Sequence, residues 1–430
     1  MTIEQIYDIF KKCGKVSTDT RNIEPNSIFF ALKGQKFDAN EFVNEAFEKG
    51  AAYCVISDKK FFLAEKTILV DDTLKTLQQL AKYHRNQLKT KIIALTGSNG
   101  KTTTKELIYK VLSSKYSTIA TQGNLNNHIG VPHTLIGIDN SYEFAVVEMG
   151  ANHIGEIQEL CQIAQPNCGL ITNIGNAHIG TFGSFENLAK TKLALFEEVK
   201  NKGGMFFQNT SDKTIVEATS NYQNITKYGF SDDCFVRCLE QQSNVFLNLK
   251  VQVEGKHYDV KTQLIGDYNT DNVLCAIAVG LKTKVEIDKI IDAIATYKPS
   301  NNRSQLFKTD KNTLILDMYN ANPASMESAI RNFSKSIFEN KTLIIGDMLE
   351  LGQYSAQNHQ QIVELINSLN FQDVFLVGSE FYNCTNIKNA KKFVDVSQLC
   401  NYLKNNQLTN KTILIKGSNG INLKNCVEFL

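Results

Sequence analysis

The stretch LTGSNGKTTTKE, at residues 95–106, continues the apolar run KIIAL into a glycine-rich turn. A turn between a predicted strand and a predicted helix is typical of a phosphate-binding loop, because its N–H groups and the helix start favour an anion. Only Ser98 and Asn99 separate Gly97 from Gly100, whereas the usual phosphate loop has four residues between its glycines. This spacing leaves open a degenerate phosphate loop, a chance glycine turn and a different class of ATP-binding loop.

The side chains that follow the turn favour nucleotide binding. Lys101 can reach the β- and γ-phosphates, and the Thr102 hydroxyl can bind Mg²⁺. The two glycines permit the unusual backbone angles that let phosphate approach closely. Nucleotide contacts are expected from the whole loop, namely Gly97, Ser98, Asn99, Gly100, Lys101, Thr102 and Thr103. A glycine turn with a solvated lysine remains the alternative for this motif taken alone.

The composition narrows the class of protein. The chain has 430 residues, which predicts two to four domains at about 100–200 residues each. Its net charge of +2 indicates neither a nucleic-acid partner nor attraction to a membrane surface. No stretch approaches the roughly 18 apolar residues of a spanning helix, so we expect no membrane insertion. The ten cysteines include no C-x-x-C pair, which favours buried thiols in a reducing compartment and a cytoplasmic protein.

Apolar strand-like runs alternate with helical patterns along the chain, which predicts α/β domains built on parallel sheets. We expect a small α/β domain at 1–88, a central phosphate-loop domain at 89–304 and a Rossmann-like α/β domain at 305–430. The segment VFLNLKVQVEGKHYDVKTQLIG alternates around a glycine turn and predicts an antiparallel extension of the central sheet.

The segment VVEMG places Glu148 at the end of a predicted buried strand. A carboxylate there is costly unless it is paired or binds a metal, and with Thr102 it would suit Mg²⁺. The alternative is a surface glutamate or one that caps a helix. Farther along, His178 lies in a predicted loop, and Lys192 lies on a helix with Ser184 as its N-cap.

Taken alone, His178 fits a structural histidine, and Lys192 fits a solvated lysine or an ion-pair partner. A lysine ammonium has no lone pair with which to bind a metal. Lys192 could serve a cation only after reaction with CO₂, which gives an anionic carbamate with two oxygens.

Several motifs together resemble the Mur ligase family, in that family's order and over most of the chain. They are TGSNGKTT, NNHIGVP, VVEMGANHIGEI, NIGNAHIGTFGSFENLAKTKLALF, GDYNTDN, LILDMYNANPASM, IIGDMLELG and ILIKGS. The early segment STDTRNIEPNSIFFALKGQKFDANEFVNEAFEKGA resembles the family's nucleotide-sugar domain. The motifs are most similar to those of the branch that adds D-alanyl-D-alanine, and the short glycine spacing is the family's own G-x-x-G-K-T form.

The resemblance implies an ATP-dependent ligase that joins D-alanyl-D-alanine to UDP-N-acetylmuramoyl-tripeptide through an acyl phosphate. This activity would serve peptidoglycan synthesis, and so cell shape and division. Its partners would be these small molecules, with ATP and two Mg²⁺ ions as cofactors, and we expect a monomer. Lys101 would contact the ATP phosphates, Thr102 and Glu148 would hold one Mg²⁺, and His178 with a carbamylated Lys192 would serve the second.

The resemblance also implies contacts at both ends of the substrates. The family contacts adenine at the positions of Asn269 and Asn272. The third domain would close over ATP through Arg303, Asp317, Tyr319 and Asn320. The pair Asn126 and Asn127 would face the UDP-sugar peptide. The uridine-binding region would include Ser17, Asp19, Arg21 and Lys33.

The chain departs from its relatives at three points. Tyr268 stands where many relatives have a histidine, so stacking is retained and an imidazole role is lost. Gly180 stands where some relatives carry an acidic residue, so no carboxylate is expected there. The segment TDTR replaces the more common DSR in the first domain.

Four rival interpretations predict different behaviour. A sister ligase would add a single amino acid, but the D-N-P-R-like motif of that enzyme is absent from the sequence. A folylpolyglutamate synthase would have no use for the nucleotide-sugar domain. A nucleotide-switch ATPase would need no small-molecule substrates. A non-catalytic nucleotide-binding module would leave Glu148, His178 and Lys192 without a role.

Overall fold

The computed structural model describes residues 1–34, 37–175, 179–300, 302–369 and 371–430. Within these ranges the strands form three sheets of four, nine and six strands, and helices pack on each of them. This architecture confirms the α/β class and the mainly parallel sheets that the sequence predicts. None of the helices in the described ranges is both long and apolar enough to cross a bilayer.

The first sheet is entirely parallel, and its strands follow chain order. Its strands are β1 (Val16–Ser17), β2 (Ile28–Phe30), β3 (Tyr53–Ile56) and β4 (Thr67–Leu69). Its helices are α1 (Ile3–Cys13), α2 (Val43–Glu48) and α3 (Thr73–Arg85). A capping box between Thr2 and Gln5 begins α1, which buries Ile6 and Phe10 as its apolar periodicity predicts.

The second sheet contains the phosphate loop. Its parallel part has the order β6-β7-β5-β8-β9-β10, and β11, β12 and β13 extend it beyond β10. The parallel strands are β5 (Lys91–Thr96), β6 (Thr118–Ala120), β7 (Phe144–Glu148), β8 (Cys168–Ile171), β9 (Met205–Asn209) and β10 (Ile225–Gly229). The extension comprises β11 (Val236–Ser243), β12 (Leu247–Val253) and β13 (Lys256–Lys261), with antiparallel β11–β12 and β12–β13 pairs. The predicted antiparallel extension is thus confirmed.

The chain leaves β5 for β6 and β7 on one side and then crosses to β8, β9 and β10 on the other. The order therefore reverses beside β5, and ligands of open α/β sheets bind at such a switch point. The helices of this part are α4 (Lys101–Ser113), α5 (Gly130–Ile136), α6 (Glu156–Ala164), α7 (Ile179–Phe182), α8 (Phe185–Asn201), α9 (Lys213–Thr219), α10 (Thr270–Lys282) and α11 (Ile287–Thr296). Ser184 caps α8 as predicted, since its side chain accepts from the Asn187 N–H.

The third sheet has the order β14-β15-β19-β16-β17-β18, and only the β14–β15 pair is antiparallel. Its strands are β14 (Gln305–Lys308), β15 (Thr313–Asp317), β16 (Lys341–Gly346), β17 (Asp373–Val377), β18 (Ala390–Phe393) and β19 (Thr412–Lys416). Its helices are α12 (Pro323–Lys335), α13 (Ser355–Ser368), α14 (Ser379–Asn383) and α15 (Val396–Asn405).

Hydrophobic contacts join the first two sheets into one body. Helix α3 packs against α1 on one side and against α5 and α6 on the other. A single apolar cluster accordingly runs from Ile6 through Leu77 to Ile136 and Leu160. The first sheet and its helices therefore pack on the helices of the second sheet through buried apolar surface, which is the main stabilising contribution in folding.

Candidate active site

A cavity of about 800 Å³ lies where the second and third sheets face each other. It opens at the carboxyl ends of β5 and β7, close to those of β15 and β19, as expected for ligand sites in open α/β sheets. Most of the predicted site residues line this cavity, namely 98–103, Asn126, Asn127, Glu148, Lys192, Asn269, Asn272, Arg303, Asp317, Tyr319 and Asn320. Residues scattered over more than 200 positions of sequence thus meet at one place.

The phosphate loop has the conformation that its glycines allow. Gly100 has a φ of +80° and is the N-cap of α4, so the loop enters the helix through a left-handed residue. A Cβ added to Gly100 would lie 2.5 Å from Asn272 Oδ1, and one added to Gly97 would lie 1.9 Å from Thr172 Oγ1. Both glycines are therefore required by close packing behind the loop as well as by backbone angle.

Lys101 is held against the loop that precedes it. Its Nζ donates to the carbonyl oxygens of Gly97, at 2.8 Å, and Ser98, at 3.1 Å. Burial lowers the pKa of Lys101, the charge of Glu148 opposes this effect, and the nearby Arg303 adds to it. A phosphate ligand would stabilise the charged form of this buried ammonium, because the anion would replace the solvation that the charge loses on burial.

Glu148 ends β7 and is only 1% exposed. Its Oε1 accepts hydrogen bonds from Thr102 Oγ1, at 3.2 Å, and from Asn126 Nδ2, at 2.8 Å. Its Oε2 is buried and has no hydrogen-bond partner among the described residues. A buried carboxylate oxygen without a partner is costly, and a cation would compensate it. Glu148 and Thr102 therefore fit the predicted Mg²⁺ site.

The small number of protein ligands around Glu148 also fits Mg²⁺. Within the described ranges, no three His, Cys, Asp or Glu side chains cluster so that they could hold a metal by themselves. Mg²⁺ is typically held by one or two carboxylates together with substrate phosphates and water, so a fuller protein cage is not needed. His178, predicted to serve a second ion, lies outside the described residues.

Lys192 lies on α8 and is 3% exposed. Its Nζ donates to the Gly97 carbonyl at 3.1 Å, so it shares an acceptor with Lys101. Burial, with the charge of Lys101 as a second cause, lowers the pKa of Lys192 to about 7. Much of this lysine is therefore a neutral amine near pH 7, which is the form that reacts with CO₂. The solvated-lysine alternative for Lys192 is wrong, because the side chain is buried behind the phosphate loop.

The two predicted adenine-side asparagines are hydrogen-bonded within the protein. Asn272 Nδ2 donates to Asn269 Oδ1 at 2.9 Å, and Asn272 Oδ1 accepts from Thr104 Oγ1 at 2.9 Å. Asn269 Nδ2 donates to the Ile265 carbonyl at 2.9 Å. These bonds tie α10 to α4 directly behind the phosphate loop, so both residues support the loop as well as line the cavity.

Side chains of the third sheet form the opposite wall. The Arg303 guanidinium lies over the Tyr319 ring, 3.7 Å from its centroid. Asp317 Oδ2 accepts from Lys416 Nζ at 2.6 Å, and Lys416 also reaches the Asn320 carbonyl at 3.3 Å. This wall therefore presents one stacked cation and one ion pair to the cavity.

Two further residues of this wall, Lys416 and Asn322, have no specific role predicted from the sequence. Lys416 is 2% exposed and lines the cavity, although its position at the end of β19 was a usable signal. Asn322 also lines the cavity, and its Nδ2 donates to Asn99 Oδ1 in the phosphate loop at 2.7 Å. The position of Asn322 shortly after β15 favours a place near the cavity, but it could not indicate this contact, because the partner lies 223 positions earlier.

The predicted uridine-binding residues lie in the first-sheet part of the chain and do not line the cavity. Asp19 and Arg21 pair with each other at 2.6 Å, and the Arg21 side chain lowers the pKa of the Asp19 carboxyl. Lys33 pairs with Asp38 at 3.0 Å. The Ser17 hydroxyl donates to the Asp19 carbonyl, which makes it part of the same turn.

Tyr268 forms a link between the parts of the chain that carry the second and third sheets. Its hydroxyl lies 2.8 Å from Ser304 Oγ, which is just before β14. A packing role at this position is thus retained without an imidazole. Of Gly180, the other departure, only its place in α7 is described.

Comparison with known proteins matches this architecture to one family. Residues 95–280 match the model of the Mur ligase middle domain, and residues 302–419 match that of the Mur ligase, glutamate ligase domain. The UDP-N-acetylmuramoyl-tripeptide–D-alanyl-D-alanine ligase of Bacillus subtilis (strain 168) is 34% identical over 436 residues, covering 96% of this chain and 92% of the relative. The chain belongs to the Mur ligase family. The resemblance seen in the motifs is therefore confirmed.

Solved Mur ligases share the whole fold. The crystal structure of MurF from Acinetobacter baumannii superposes with a TM-score of 0.86 at 28% identity, covering 99% of this chain and 98% of that one. The MurF ligase of Thermotoga maritima, solved in complex with ADP, superposes with a TM-score of 0.85 at 24% identity, covering 96% of each chain. In the present chain, the segment that matches the Mur ligase middle domain contains Lys101, Glu148 and Lys192. The segment that matches the glutamate ligase domain contains Asp317 and Lys416.

Proposed function

We propose that this Mur ligase joins D-alanyl-D-alanine to UDP-N-acetylmuramoyl-tripeptide at the expense of ATP, releasing ADP and phosphate. The observation that carries the proposal is the convergence of Lys101, Glu148 and Lys192 on one cavity, in a chain similar throughout to a ligase of that name. The product would be the UDP-muramoyl-pentapeptide of peptidoglycan synthesis.

The reaction would proceed in two displacements. A carboxylate oxygen of the tripeptide attacks the γ-phosphorus of ATP, and the bond from that phosphorus to ADP breaks, giving an acyl phosphate. The amine of D-alanyl-D-alanine then attacks the acyl carbon, and the tetrahedral intermediate expels phosphate while the nitrogen loses a proton. Lys101 would neutralise charge on the transferring phosphoryl group, since phosphoryl transfer depends on positioning and electrostatic stabilisation. The facing walls would keep out water, which would otherwise hydrolyse the acyl phosphate.

Thr102 and Glu148 would hold one Mg²⁺, which supplies charge neutralisation to the β- and γ-phosphates when bound. The buried, unpartnered Oε2 of Glu148 supports this assignment. Asn126 would keep the carboxylate oriented through its bond to Oε1. We assign a second ion to His178 and a carbamylated Lys192, as in the predicted pair.

Carbamylation of Lys192 is part of the proposal, and the chemistry of this site supports it. The neutral Nζ would attack the carbon of CO₂, forming an N–C bond, and one N–H proton would pass to water. The resulting anion would sit beside Lys101, whose positive charge disfavours an ammonium at the same place. The lowered pKa and burial of Lys192 support the proposal, because both increase the share of reactive amine.

The remaining predicted contacts are part of the same proposal. Residues 97–103 would bind the ATP phosphates. The adenosine would lie between Asn269 and Asn272 on one wall and the third-sheet residues on the other, namely Arg303, Asp317, Tyr319 and Asn320. Asn126 and Asn127 would face the peptide of the UDP-sugar. Ser17, Asp19, Arg21 and Lys33 would lie in the uridine-binding region.

These assignments divide the chain by task. We propose a UDP-sugar-peptide domain at 1–88, an ATP-binding domain at 89–304 and a C-terminal ligase domain at 305–430, acting as a monomer in the cytoplasm. All ten cysteines are unpaired in the structure, and seven of them are buried, which fits a reducing compartment.

Phosphate release by the purified protein tests the proposal. With ATP and Mg²⁺, we expect release only when both UDP-N-acetylmuramoyl-tripeptide and D-alanyl-D-alanine are present. Release with diaminopimelate or L-lysine and the shorter UDP-dipeptide precursor, but not with D-alanyl-D-alanine, would move the assignment to the sister ligase. Release without either small-molecule substrate would support a nucleotide-switch ATPase instead.

A further inference from the structure

Helix α12 of the third sheet contacts the central part of the chain near both of its ends. At its start, Asn322 Nδ2 donates to Asn99 Oδ1 in the phosphate loop at 2.7 Å. Ten residues later, Asn332 bonds to Asp267, which accepts through Oδ1 and donates its N–H at 3.3 Å. Because a helix rises 1.5 Å per residue, these two contacts are about 15 Å apart along α12.

The orientation of the Asn322 amide follows from its capping role. Its Oδ1 accepts from the Ser325 N–H at 2.9 Å, and the Ser325 hydroxyl accepts from the Asn322 N–H at 3.1 Å, which completes a capping box. With the oxygen committed to the helix, the Nδ2 group is left to face the loop. Asn322 is 5% exposed, so water does not compete freely for this bond.

Asn99, the partner of Asn322, is also hydrogen-bonded to the residues that follow β8. Its N–H donates to Asn173 Oδ1 at 3.0 Å, and its carbonyl accepts from Asn173 Nδ2 at 3.1 Å and from Thr172 Oγ1 at 2.6 Å. Both partners follow β8, so the backbone of Asn99 is tied to the sheet, and its side chain alone reaches the third-sheet part of the chain. A displacement of this side chain would therefore also move the backbone of the loop that would hold the phosphates.

We infer that Asn322 is a positioning residue that couples the seating of α12 to the shape of the phosphate loop. The bond forms only when the third sheet is seated on the second, and it then orders the loop next to Lys101. Asp267 and Asn332 form a second contact between α12 and the central part of the chain. This inference rests on the proposed function, because it makes loop ordering depend on closure of the cavity around ATP.

The test uses a substitution that keeps the cap and removes the bond. In Asn322→Ser, the hydroxyl can still cap α12, because serine is as good an N-cap as asparagine, but it is too short to reach Asn99. We expect kcat to fall about three- to tenfold, the effect of one lost net hydrogen bond, with KM for the UDP-tripeptide changed less than twofold. We also expect more than one phosphate released for each peptide bond made, because the acyl phosphate is less protected from water.

The matched control is Asp395→Ser, which makes the same kind of cap replacement at α15, where Asp395 accepts from the Gln398 N–H at 3.0 Å. Its kcat and its phosphate-to-peptide ratio should equal those of the unmodified protein. Asn99→Ala removes the other partner, and the double variant should be no slower than the slower single variant. If the two effects multiply instead, the residues act independently and the coupling is disproved.

Small-angle X-ray scattering tests the same contact without turnover. Addition of Mg²⁺ and ADP should reduce the radius of gyration of the unmodified protein and of Asp395→Ser more than that of Asn322→Ser. Equal compaction of all three proteins would overturn the inference. Failure of the unmodified protein to make peptide would overturn the proposed function alone, since scattering does not depend on the reaction.

Discussion

At the scale of single residues, Glu148 is distinguished by complete burial combined with an unpartnered oxygen. Oε1 has two donors, whereas Oε2 has none among the described residues. Proteins rarely keep such an atom unless a ligand or a function compensates its cost. The carboxylate thus reduces stability in the absence of a cation and provides a strong site in its presence.

Glu148→Gln removes the charge and nearly preserves the shape. We expect the melting temperature in metal-free buffer to change by less than about 2 °C, because relief from a buried charge and loss of its attraction to Lys101 oppose each other. With Mg²⁺ and ADP, the unmodified protein should gain stability and the variant should gain little. Scanning calorimetry measures both effects, and Thr102→Ser, which keeps the hydroxyl ligand, is the control. Equal stabilisation of Glu148→Gln by Mg²⁺ and ADP would contradict the metal assignment.

Lys192 can be tested by chemical rescue. Lys192→Ala should lower ligase activity about 100-fold or more, the upper range seen when a group supporting a metal site is lost. Added short carboxylic acids should restore part of the activity, because they supply the oxygens of the missing carbamate. Lys190→Ala, on the exposed face of the same helix, should be unaffected. Near-normal activity of Lys192→Ala without added acids would show that the carbamate is not needed.

The pH dependence of the unmodified enzyme follows from the same lysine. The pKa of Lys192 is about 7, so the amine is mainly neutral above that pH and mainly protonated below it. Since only the neutral amine reacts with CO₂, activity attributable to the carbamate should fall as the pH decreases through 7.

At the scale of elements, the phosphate loop shows why its glycines are needed. Gly100 and Gly14 have nearly the same left-handed φ, +80° and +74°. A Cβ would meet Asn272 at Gly100, whereas at Gly14, after α1, it would meet nothing within 4 Å. A substitution at Gly14 would therefore cause backbone strain alone, whereas one at Gly100 would cause both backbone strain and a steric clash.

We expect Gly14→Ala to cost about 1–2 kcal/mol of unfolding free energy from the left-handed conformation, without loss of nucleotide binding. Gly100→Ala should cost more than this and should abolish binding of Mg²⁺ and ADP, because the loop must move away from α10. Urea unfolding and calorimetric titration measure the two quantities. If both variants bind nucleotide equally well, the close packing behind the loop is not required for its function.

At the scale of the whole molecule, the cavity depends on two sheets that are distant in sequence. The phosphate loop and the start of α12 line the same space, although Asn99 and Asn322 are 223 positions apart. Ligand binding should therefore stabilise both segments together.

Hydrogen–deuterium exchange can detect this joint stabilisation. With Mg²⁺ and ADP, we expect slower exchange in residues 97–105 and also in residues 324–328, because both segments line the cavity. The antiparallel extension, β11 to β13, should be unchanged and is the internal control. Slower exchange in the phosphate loop alone would contradict a nucleotide site shared by the two sheets.

The sequence predicted most of the longer elements of this fold but few of the short strands. The longer central strands and the antiparallel extension followed from periodicity and turn residues. The strands β1, β4 and β6 were missed, because two or three residues do not establish a period. Strands β10, β11, β14 and β18 were also missed. In β11, for example, the end of VRCLEQQS is polar and exposed, so it lacks the alternation of a half-buried strand.

The sequence by itself determined the phosphate loop and the carboxylate at the end of β7, because each depends on residues close together in the chain. It also determined the family, because each of the family's motifs is a short local segment and their order can be seen along the chain. Only the tertiary structure showed that Glu148 Oε2 lacks a partner among the described residues, that Lys192 is buried against Gly97, that Lys416 pairs with Asp317 and that Asn322 contacts Asn99. The reason is physical: conformational preference is local, whereas burial, pKa and hydrogen bonding between elements depend on how the packed sheets face one another.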